Sequence, residues 1–207
     1  MNRDAMPHLL KQLRAAALTA LLLTLPACGT GPAAPPEQPP LFGASIGGPF
    51  TLTDKHGKTV HWADFNGRYR IIYFGYAYCP DICPTDVQRM MQGYAKFAAQ
   101  NAALGDDIQP IFITIDPERD TPAVVGEFTS AFSDKLLGLT GTAAQVKEAA
   151  DNFRVFYSRG ETSDGGGYLM DHSNIAYLFG PQGEPIATLP TDLGADAVAS
   201  ELEKWVQ

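Results

Sequence analysis

The chain has 207 residues, of which 45% are hydrophobic and 18% are charged, and its formal net charge is −8 at pH 7. This length and composition are typical of one globular domain with short additions. An acidic chain without clustered lysine and arginine argues against nucleic acid as a partner, because phosphate binding needs such clusters.

The first 27 residues are predicted to form a signal peptide. Three basic residues precede an apolar segment over residues 15–25, which is too short to span a bilayer with ease. Leu-Pro-Ala then precedes Cys28, which resembles a bacterial lipobox whose cysteine is lipidated. We expect a lipidated Cys28 and a Pro-rich tether over residues 28–41, and a folded domain over residues 42–207. A plain signal peptide with an incidental cysteine is the alternative.

This export signal places the protein at the periplasmic face of a bacterial membrane, where it would be held by lipid. Of the three cysteines, Cys28 is then used for the anchor, and Cys79 and Cys83 remain in an oxidising compartment. A domain of this size builds a sufficient core without a disulfide. The pair is therefore predicted to have a chemical role.

The first half of the folded region alternates strands and helices. Alternating apolar and polar residues predict a β-hairpin over residues 50–62. The apolar run Ile71–Tyr78 predicts a buried strand, and helical spacing predicts a helix from Pro84 to Ala102. A second core strand is predicted over residues 108–115. Thr121 and Pro122 then predict the start of a helix that ends near Phe132.

The second half contains, in order, a strand at 137–141, a helix from Thr142 to about Phe153, a strand at 155–157, a glycine-rich loop at 165–167, a hairpin at 175–179 and 185–189, and a closing helix at 195–206. This order predicts a mixed α/β sheet. A thiol pair between a core strand and a helix is the thioredoxin arrangement. We therefore predict a thioredoxin-like fold with an N-terminal β-hairpin extension and an inserted helix.

Cys79 and Cys83 are predicted to lie where the first core strand turns into a helix. A helix N-terminus favours a thiolate over a thiol. A spacing of four would also place both side chains on one helix face. Three residues separate the cysteines, whereas thioredoxin pairs usually have two between them. The pair can serve disulfide exchange or bind a soft metal such as copper(I), zinc or an iron–sulfur cluster.

Among the four histidines, His172 is the one predicted near the thiols. His8 belongs to the signal segment, and His56 and His61 fall in the N-terminal hairpin, where solvated or packing roles are expected. His172 directly precedes the strand predicted at 175–179. In a thioredoxin fold the start of that strand lies beside the thiol pair, where reductases carry a cis-proline. No proline occurs in this chain over residues 168–179.

Two sulfurs and one nitrogen favour copper over structural zinc. Structural zinc requires four protein ligands, whereas copper(I) accepts two or three soft ligands and copper(II) adds an oxygen. Candidates for a weak further contact are Asp81, Asp116, Asp171 and Met170. Helix-start, turn or packing roles are favoured for these four. A hydrogen-bonding role for His172 and a purely redox role for the cysteines stay open.

Three blocks in this order resemble the Sco/SenC family of copper-handling assembly proteins, over about residues 41–206. The blocks are Tyr73-Phe74-Gly75-Tyr76 followed by Cys79-Pro80-Asp81-Ile82-Cys83-Pro84, then residues 114–122, and then Asp171-His172-Ser173. The resemblance implies a thioredoxin fold, one copper ion bound by Cys79, Cys83 and His172, and a role in building the dinuclear copper site of cytochrome c oxidase subunit II. Many family members use a transmembrane helix, so a lipobox would be a different anchor for the same domain.

The sequence thus predicts a membrane-anchored copper metallochaperone. Its expected partners are cytochrome c oxidase subunit II or another copper-site acceptor protein, and a periplasmic copper donor protein. The alternative is a thiol–disulfide oxidoreductase that keeps the acceptor cysteines reduced, with Cys79 and Cys83 as its catalytic residues. Peroxidase activity is a weaker hypothesis, because no sequence feature places the required Arg and Thr or Ser beside a cysteine.

Overall fold

The computed structural model describes residues 37–163 and 167–207. Gln38–Gln207 form one compact unit. The predicted signal peptide and Cys28 lie outside the described residues. Within the described ranges, no helix combines the length and the apolar character that crossing a bilayer requires.

Nine strands and five α-helices make up the described part of the chain. In chain order they are β1 (Thr51–Asp54), β2 (Thr59–His61), β3 (Tyr69–Gly75), α1 (Ile82–Gln100), α2 (Ala102–Asp106), β4 (Ile108–Thr114), α3 (Pro122–Ser130), β5 (Leu137–Thr140), α4 (Ala143–Asn152), β6 (Tyr157–Thr162), β7 (Tyr168–His172), β8 (Ala176–Phe179), β9 (Pro185–Leu189) and α5 (Ala195–Trp205). Short 3-10 helices occupy Trp62–Phe65 and Thr191–Leu193.

Seven strands form one mixed sheet in the order β2-β1-β5-β4-β3-β8-β9. β3 is parallel to β4 on one side and antiparallel to β8 on the other. Strands β6 and β7 pair with each other in a separate two-stranded sheet. From Arg70 onward every residue of β3 is buried, as expected for a central strand covered on both faces. The mixed α/β arrangement predicted from the sequence is confirmed.

Aromatic contacts show which side chains line the two faces of the sheet. On one face Tyr73 stacks on Phe112, and Phe112 lies 4.9 Å from the ring of Phe128 in α3. On the other face Phe74 lies 5.4 Å from Phe153, directly after α4. Because successive residues of a strand point to opposite faces, β3 supplies side chains to both layers of the core.

Helix ends and one glycine explain much of the packing around this sheet. The hydroxyl groups of Thr121 and Thr142 accept hydrogen bonds from the first turns of α3 and α4, as predicted. Helices α1 and α5 cross closely at Gly93, where an added Cβ would lie 2.5 Å from the Val198 side chain. A larger residue at Gly93 would therefore push α5 away from α1.

The structure corrects several predicted boundaries near the thiol pair. The strand predicted over Ile71–Tyr78 ends at Gly75, and the helix predicted from Pro84 begins at Ile82. The short helix α2 and the strand β7 were not predicted. The strand predicted at residues 155–157 begins at Tyr157 and continues to Thr162. Strand β7 was missed because its pattern of partly buried and exposed residues has no strongly apolar face.

Candidate metal centre

Cys79 lies in the short loop after β3, and Cys83 lies in the first turn of α1. The predicted placement of both on one helix face is wrong, because Cys79 precedes the helix. Instead the backbone N–H of Cys83 donates to Sγ of Cys79 at 3.4 Å. One of the unpaired N–H groups at the helix N-terminus is therefore directed at the Cys79 sulfur.

Cys83 is fully buried, whereas Cys79 keeps 9% of its surface exposed. Burial raises the pKa of the Cys83 thiol, because the thiolate loses its hydration. The prediction that the helix N-terminus favours a thiolate is therefore wrong for Cys83. Both cysteines are free thiols. A Cβ on Gly75 would lie 3.2 Å from the Cys83 sulfur, so a side chain there would require this sulfur to shift by a few tenths of an ångström.

His172 is the last residue of β7 and contacts Cys83. Its Nε2 lies 3.2 Å from the Cys83 Sγ. Its Nδ1 lies 3.0 Å from the carbonyl oxygen of Ser173, which can only accept a hydrogen bond. We therefore assign the proton to Nδ1, and the lone pair of Nε2 then faces the sulfur. A backbone carbonyl that fixes the tautomer in this way is typical of histidines that bind metals.

The ligand atoms of Cys79, Cys83 and His172 all lie within 4.8 Å of one another. Among the described residues this is the one cluster of three or more Cys, His, Asp or Glu groups close enough to share an ion. Two buried sulfurs and one half-buried imidazole form a soft donor set. The structure thus brings together the three residues that the sequence singled out.

The other candidates from the sequence lie outside this cluster. Asp81 and Asp171 are exposed. The two carboxylate oxygens of Asp116 accept hydrogen bonds from Arg119 and Tyr168. Met170 packs against the hydrophobic core. The exposed His56 and His61 belong to the N-terminal hairpin, as the sequence predicted, and a His61 ring nitrogen contacts the Thr51 hydroxyl.

Two tyrosines, one from β3 and one from the loop after it, contact the ring of His172. The ring of His172 lies edge-on to Tyr73 at 6.5 Å and to Tyr76 at 5.9 Å. The hydroxyl of Tyr73 donates to Oδ2 of the buried Asp86 at 3.1 Å. Burial raises the pKa of Tyr73 and of Asp86 above their ordinary values. The sulfurs therefore lie in surroundings of low polarity, where contacts between charges are strong.

Sequence reasoning gave no role to Asp86 or Arg119. Asp86 follows Cys83 by three residues and faces the sheet from α1. A charged residue at an apolar position of an amphipathic helix is a signal that could have drawn attention to it. Arg119 lies in the loop after β4 and contacts Tyr168, 49 residues away in the sequence. No spacing rule connects two such distant positions.

A family model described as SCO1/SenC matches residues 38–207. The chain belongs to the SCO1/SenC family. A human protein named "Protein SCO1 homolog, mitochondrial" is 41% identical over 139 residues, which cover 67% of this chain and 46% of that protein. This chain spans about half the length of the curated relatives that it matches first.

Solved structures of the SCO1/SenC family share this fold. One is described as Bradyrhizobium japonicum ScoI with copper bound, with a TM-score of 0.69 and 34% identity over 77% of this chain and 99% of that chain. Another is described as yeast Sco1 with copper bound, with a TM-score of 0.71 and 37% identity over 78% of this chain and 88% of that chain. The thioredoxin-like fold predicted from the sequence is confirmed.

Proposed function

We propose that this protein is a copper metallochaperone and that Cys79, Cys83 and His172 hold its cargo, one copper ion. The observation that carries this proposal is the cluster of their three ligand atoms within 4.8 Å. Copper bound in two related structures of the family supports the choice of metal. Among the described residues no fourth Cys, His, Asp or Glu joins this cluster, which argues against structural zinc, since that metal is held by four ligands.

Binding replaces protons with copper at the two sulfurs. Both cysteines must lose their thiol protons, because the thiolate is the metal ligand. The Cys83 thiolate would be a buried negative charge, and the bound copper ion would compensate it. His172 presents Nε2 without losing a proton, since its proton lies on Nδ1. Two thiolates and one imidazole leave a coordination position through which an acceptor ligand can enter.

Delivery then proceeds by exchange of ligands. Cys79 is the more exposed of the two cysteines, so an acceptor thiolate would approach from its side. We propose that the acceptor is the dinuclear copper site of cytochrome c oxidase subunit II or a similar copper site, and that a periplasmic copper donor protein loads the chaperone. Membership of the SCO1/SenC family and the resemblance of its motifs support this assignment.

The proposal includes attachment to a membrane by lipid at Cys28. Removal of residues 1–27 would expose Cys28 as the new N-terminus, and residues 29–41 would connect the anchor to the domain at the periplasmic face. More than one acyl chain would be needed for stable attachment. We expect Cys28→Ser to move the full chain from the membrane fraction to the soluble fraction, with mass spectrometry of the N-terminus reporting the lipid.

Anaerobic copper titration of the reduced domain tests the metal site. We expect one copper ion per chain, with an absorption band from thiolate-to-copper charge transfer. His172→Ala should weaken copper(II) binding about 10–100-fold or more and shift this band. His56→Ala is the matched control, because this exposed histidine belongs to a distant turn. A parental copper affinity and spectrum in His172→Ala would remove His172 from the proposal.

One contact favours a second function, thiol–disulfide exchange. The N–H of Cys83 donates to Sγ of Cys79, the more exposed of the two sulfurs, so a hydrogen-bond donor already faces the sulfur that would act as nucleophile. Once deprotonated, Cys79 would attack an acceptor disulfide and release one acceptor thiolate. Cys83, after losing its proton, would then displace the second acceptor thiolate and close the Cys79–Cys83 disulfide. The raised pKa of Cys83 opposes this second step.

His172→Ala also separates the two functions. A chaperone needs the imidazole for its ligand set, whereas disulfide exchange needs only the two sulfurs. If His172→Ala supports full oxidase assembly in cells while Cys79→Ser abolishes it, thiol exchange is the function. If both substitutions abolish assembly, copper delivery is supported.

A further inference from the structure

The hairpin of β6 and β7 carries His172 but forms no strand pairing with the central sheet in the described residues. At its inner end, the Ser173 N–H donates to the carbonyl of Phe156, and the Phe156 N–H donates to the Ser173 hydroxyl. These two bonds close the inner end of the hairpin and join it to no other element. Met170 packs against the hydrophobic core from within the hairpin, and a further contact at Tyr168 holds the hairpin farther out.

Arg119 and Asp116 supply that contact by holding Tyr168 at both ends. Nη1 of Arg119 donates to the carbonyl of Tyr168 at 2.9 Å. The Tyr168 hydroxyl donates to Oδ1 of Asp116 at 2.8 Å, and Oδ2 of Asp116 accepts from Nε of Arg119. The guanidinium also lies 3.6 Å from the centre of the Tyr168 ring. A planar, multidentate group restricts a partner more strongly than a single hydrogen bond does.

The same guanidinium faces the segment that leads to Cys79. It lies 5.7 Å from the ring of Tyr76 and 5.2 Å from the ring of Tyr78, both within the reach of cation–π attraction. Tyr76 in turn contacts the ring of His172 edge-on. Arg119 therefore contacts both of the segments that carry the proposed ligands, although it is not a ligand itself.

We propose that Arg119 is a positioning residue that holds the His172 hairpin against the cysteine loop. This inference rests on the proposed copper function. Without Arg119, the two cysteines would keep their places, because β3 and α1 hold them in the core. His172 would lose its fixed distance from Cys83. Two thiolates suffice for copper(I), whereas copper(II) needs the nitrogen, so loss of Arg119 should affect the two oxidation states unequally.

Arg159 offers a matched control for the substitution of Arg119. Its guanidinium also lies over the Tyr168 ring, at 3.7 Å, and its side chain is exposed and pairs with Glu118. Unlike the guanidinium of Arg119, that of Arg159 does not lie over the ring of Tyr76 or Tyr78. Arg119→Gln and Arg159→Gln make the same chemical change beside the same ring, and only the first breaks the connection to the cysteine loop.

Copper affinities in both oxidation states give the main measurement. For Arg119→Gln we expect copper(II) affinity to fall about 10–100-fold and copper(I) affinity to stay within about threefold. The charge-transfer band should move toward that of His172→Ala. Arg159→Gln should change each affinity by no more than about threefold. Equal weakening of copper(I) and copper(II) in Arg119→Gln, or equal effects of the two glutamine variants, would overturn the proposal.

Hydrogen exchange of the metal-free protein tests the contact independently of copper. Arg119→Gln should speed amide exchange in β7 and leave β3 protected, whereas unchanged exchange in β7 would contradict the proposal. A parent protein that binds no copper would refute the proposed function and leave this exchange result standing. If Arg119→Gln does not fold, Tyr168→Leu removes the other half of the contact and should give the same difference between the two regions.

Discussion

Two regions of different construction supply the proposed ligands. Cys79 and Cys83 flank the junction of β3 and α1, where β3 pairs with strands on both sides. His172 belongs to a two-stranded hairpin that is joined to the body at its inner end and by the contacts of Tyr168. Burial of apolar surface fixes the first region, whereas polar contacts and the packing of a few partly buried side chains fix the second.

Because the two regions are held differently, we expect them to contribute differently to stability and to copper binding. The sulfurs have their geometry imposed by the core, so under the proposed function they would hold copper(I) even if the hairpin moved. The imidazole has its geometry imposed by contacts that cost little to break, since most of them are partly exposed. The free energy of unfolding should therefore depend mainly on the cysteine region. The ability to bind copper(II) in addition to copper(I) should depend on the hairpin.

Matched leucine substitutions should give the largest difference between the regions. Leu178 in β8 is fully buried and pairs with Ile71 of β3, whereas Leu169 in β7 is 57% exposed. Leu178→Ala should lower the free energy of unfolding by about 3–5 kcal/mol through lost burial and a cavity. Leu169→Ala should change it by about 0.5 kcal/mol or less. Urea unfolding measures both, and comparable losses would show that the hairpin is part of the cooperative core.

A methyl group at Gly75 should disturb both stability and the Cys83 sulfur. The new Cβ would lie 3.0 Å from ring atoms of Phe112 and Tyr73 and 3.2 Å from that sulfur. We expect Gly75→Ala to cost about 1–3 kcal/mol, a typical penalty for overpacking. Its control is Gly167→Ala, whose Cβ would make an ordinary contact at 3.5 Å with Ser163. An unchanged urea midpoint for Gly75→Ala would mean that the sulfur has room to move.

The raised pKa of Cys83 predicts a smaller, pH-dependent loss of stability. The folded protein keeps the Cys83 proton at pH values where the unfolded chain releases it. Stability from this group is therefore complete below the unfolded thiol pKa of about 8.5 and falls as pH rises above it. Between pH 8 and 9.5, the reduced metal-free protein should lose about 1 kcal/mol more than Cys83→Ser. Identical losses in the two proteins would place the thiolate of Cys83 in polar surroundings.

The sequence identified the ligand candidates because rare residue types carry them. With three cysteines and four histidines in the chain, removal of the signal segment and the N-terminal hairpin left few choices. The long apolar run of β3 and the helical spacing of α1 then placed the thiols between a strand and a helix. These predictions succeeded because buried strands and helices space their apolar residues regularly along the sequence.

Strand β7, the raised pKa of Cys83 and the contacts of Arg119 could not be predicted, because no regular spacing of residues in the sequence reports them. Strand β7 exposes Leu169 and Asp171 and half-buries Tyr168, Met170 and His172, so neither face is clearly apolar. The helix dipole suggested an acidic Cys83 thiol, and burial reversed that expectation once the depth of the site was known. The partners of Arg119 come from segments that only the folded chain brings together.

The position of His172 within its hairpin has a mechanical consequence. His172 lies opposite Tyr157 where the hairpin joins the body, and Tyr168 lies opposite Thr162 at the outer end. About 13 Å of strand separates Tyr168 from His172. A rotation of the hairpin about its inner end would move Tyr168 much farther than it moves Nε2. The contacts of Tyr168 with Arg119 and Asp116 therefore limit the angle of the hairpin more tightly than equal contacts beside the imidazole could.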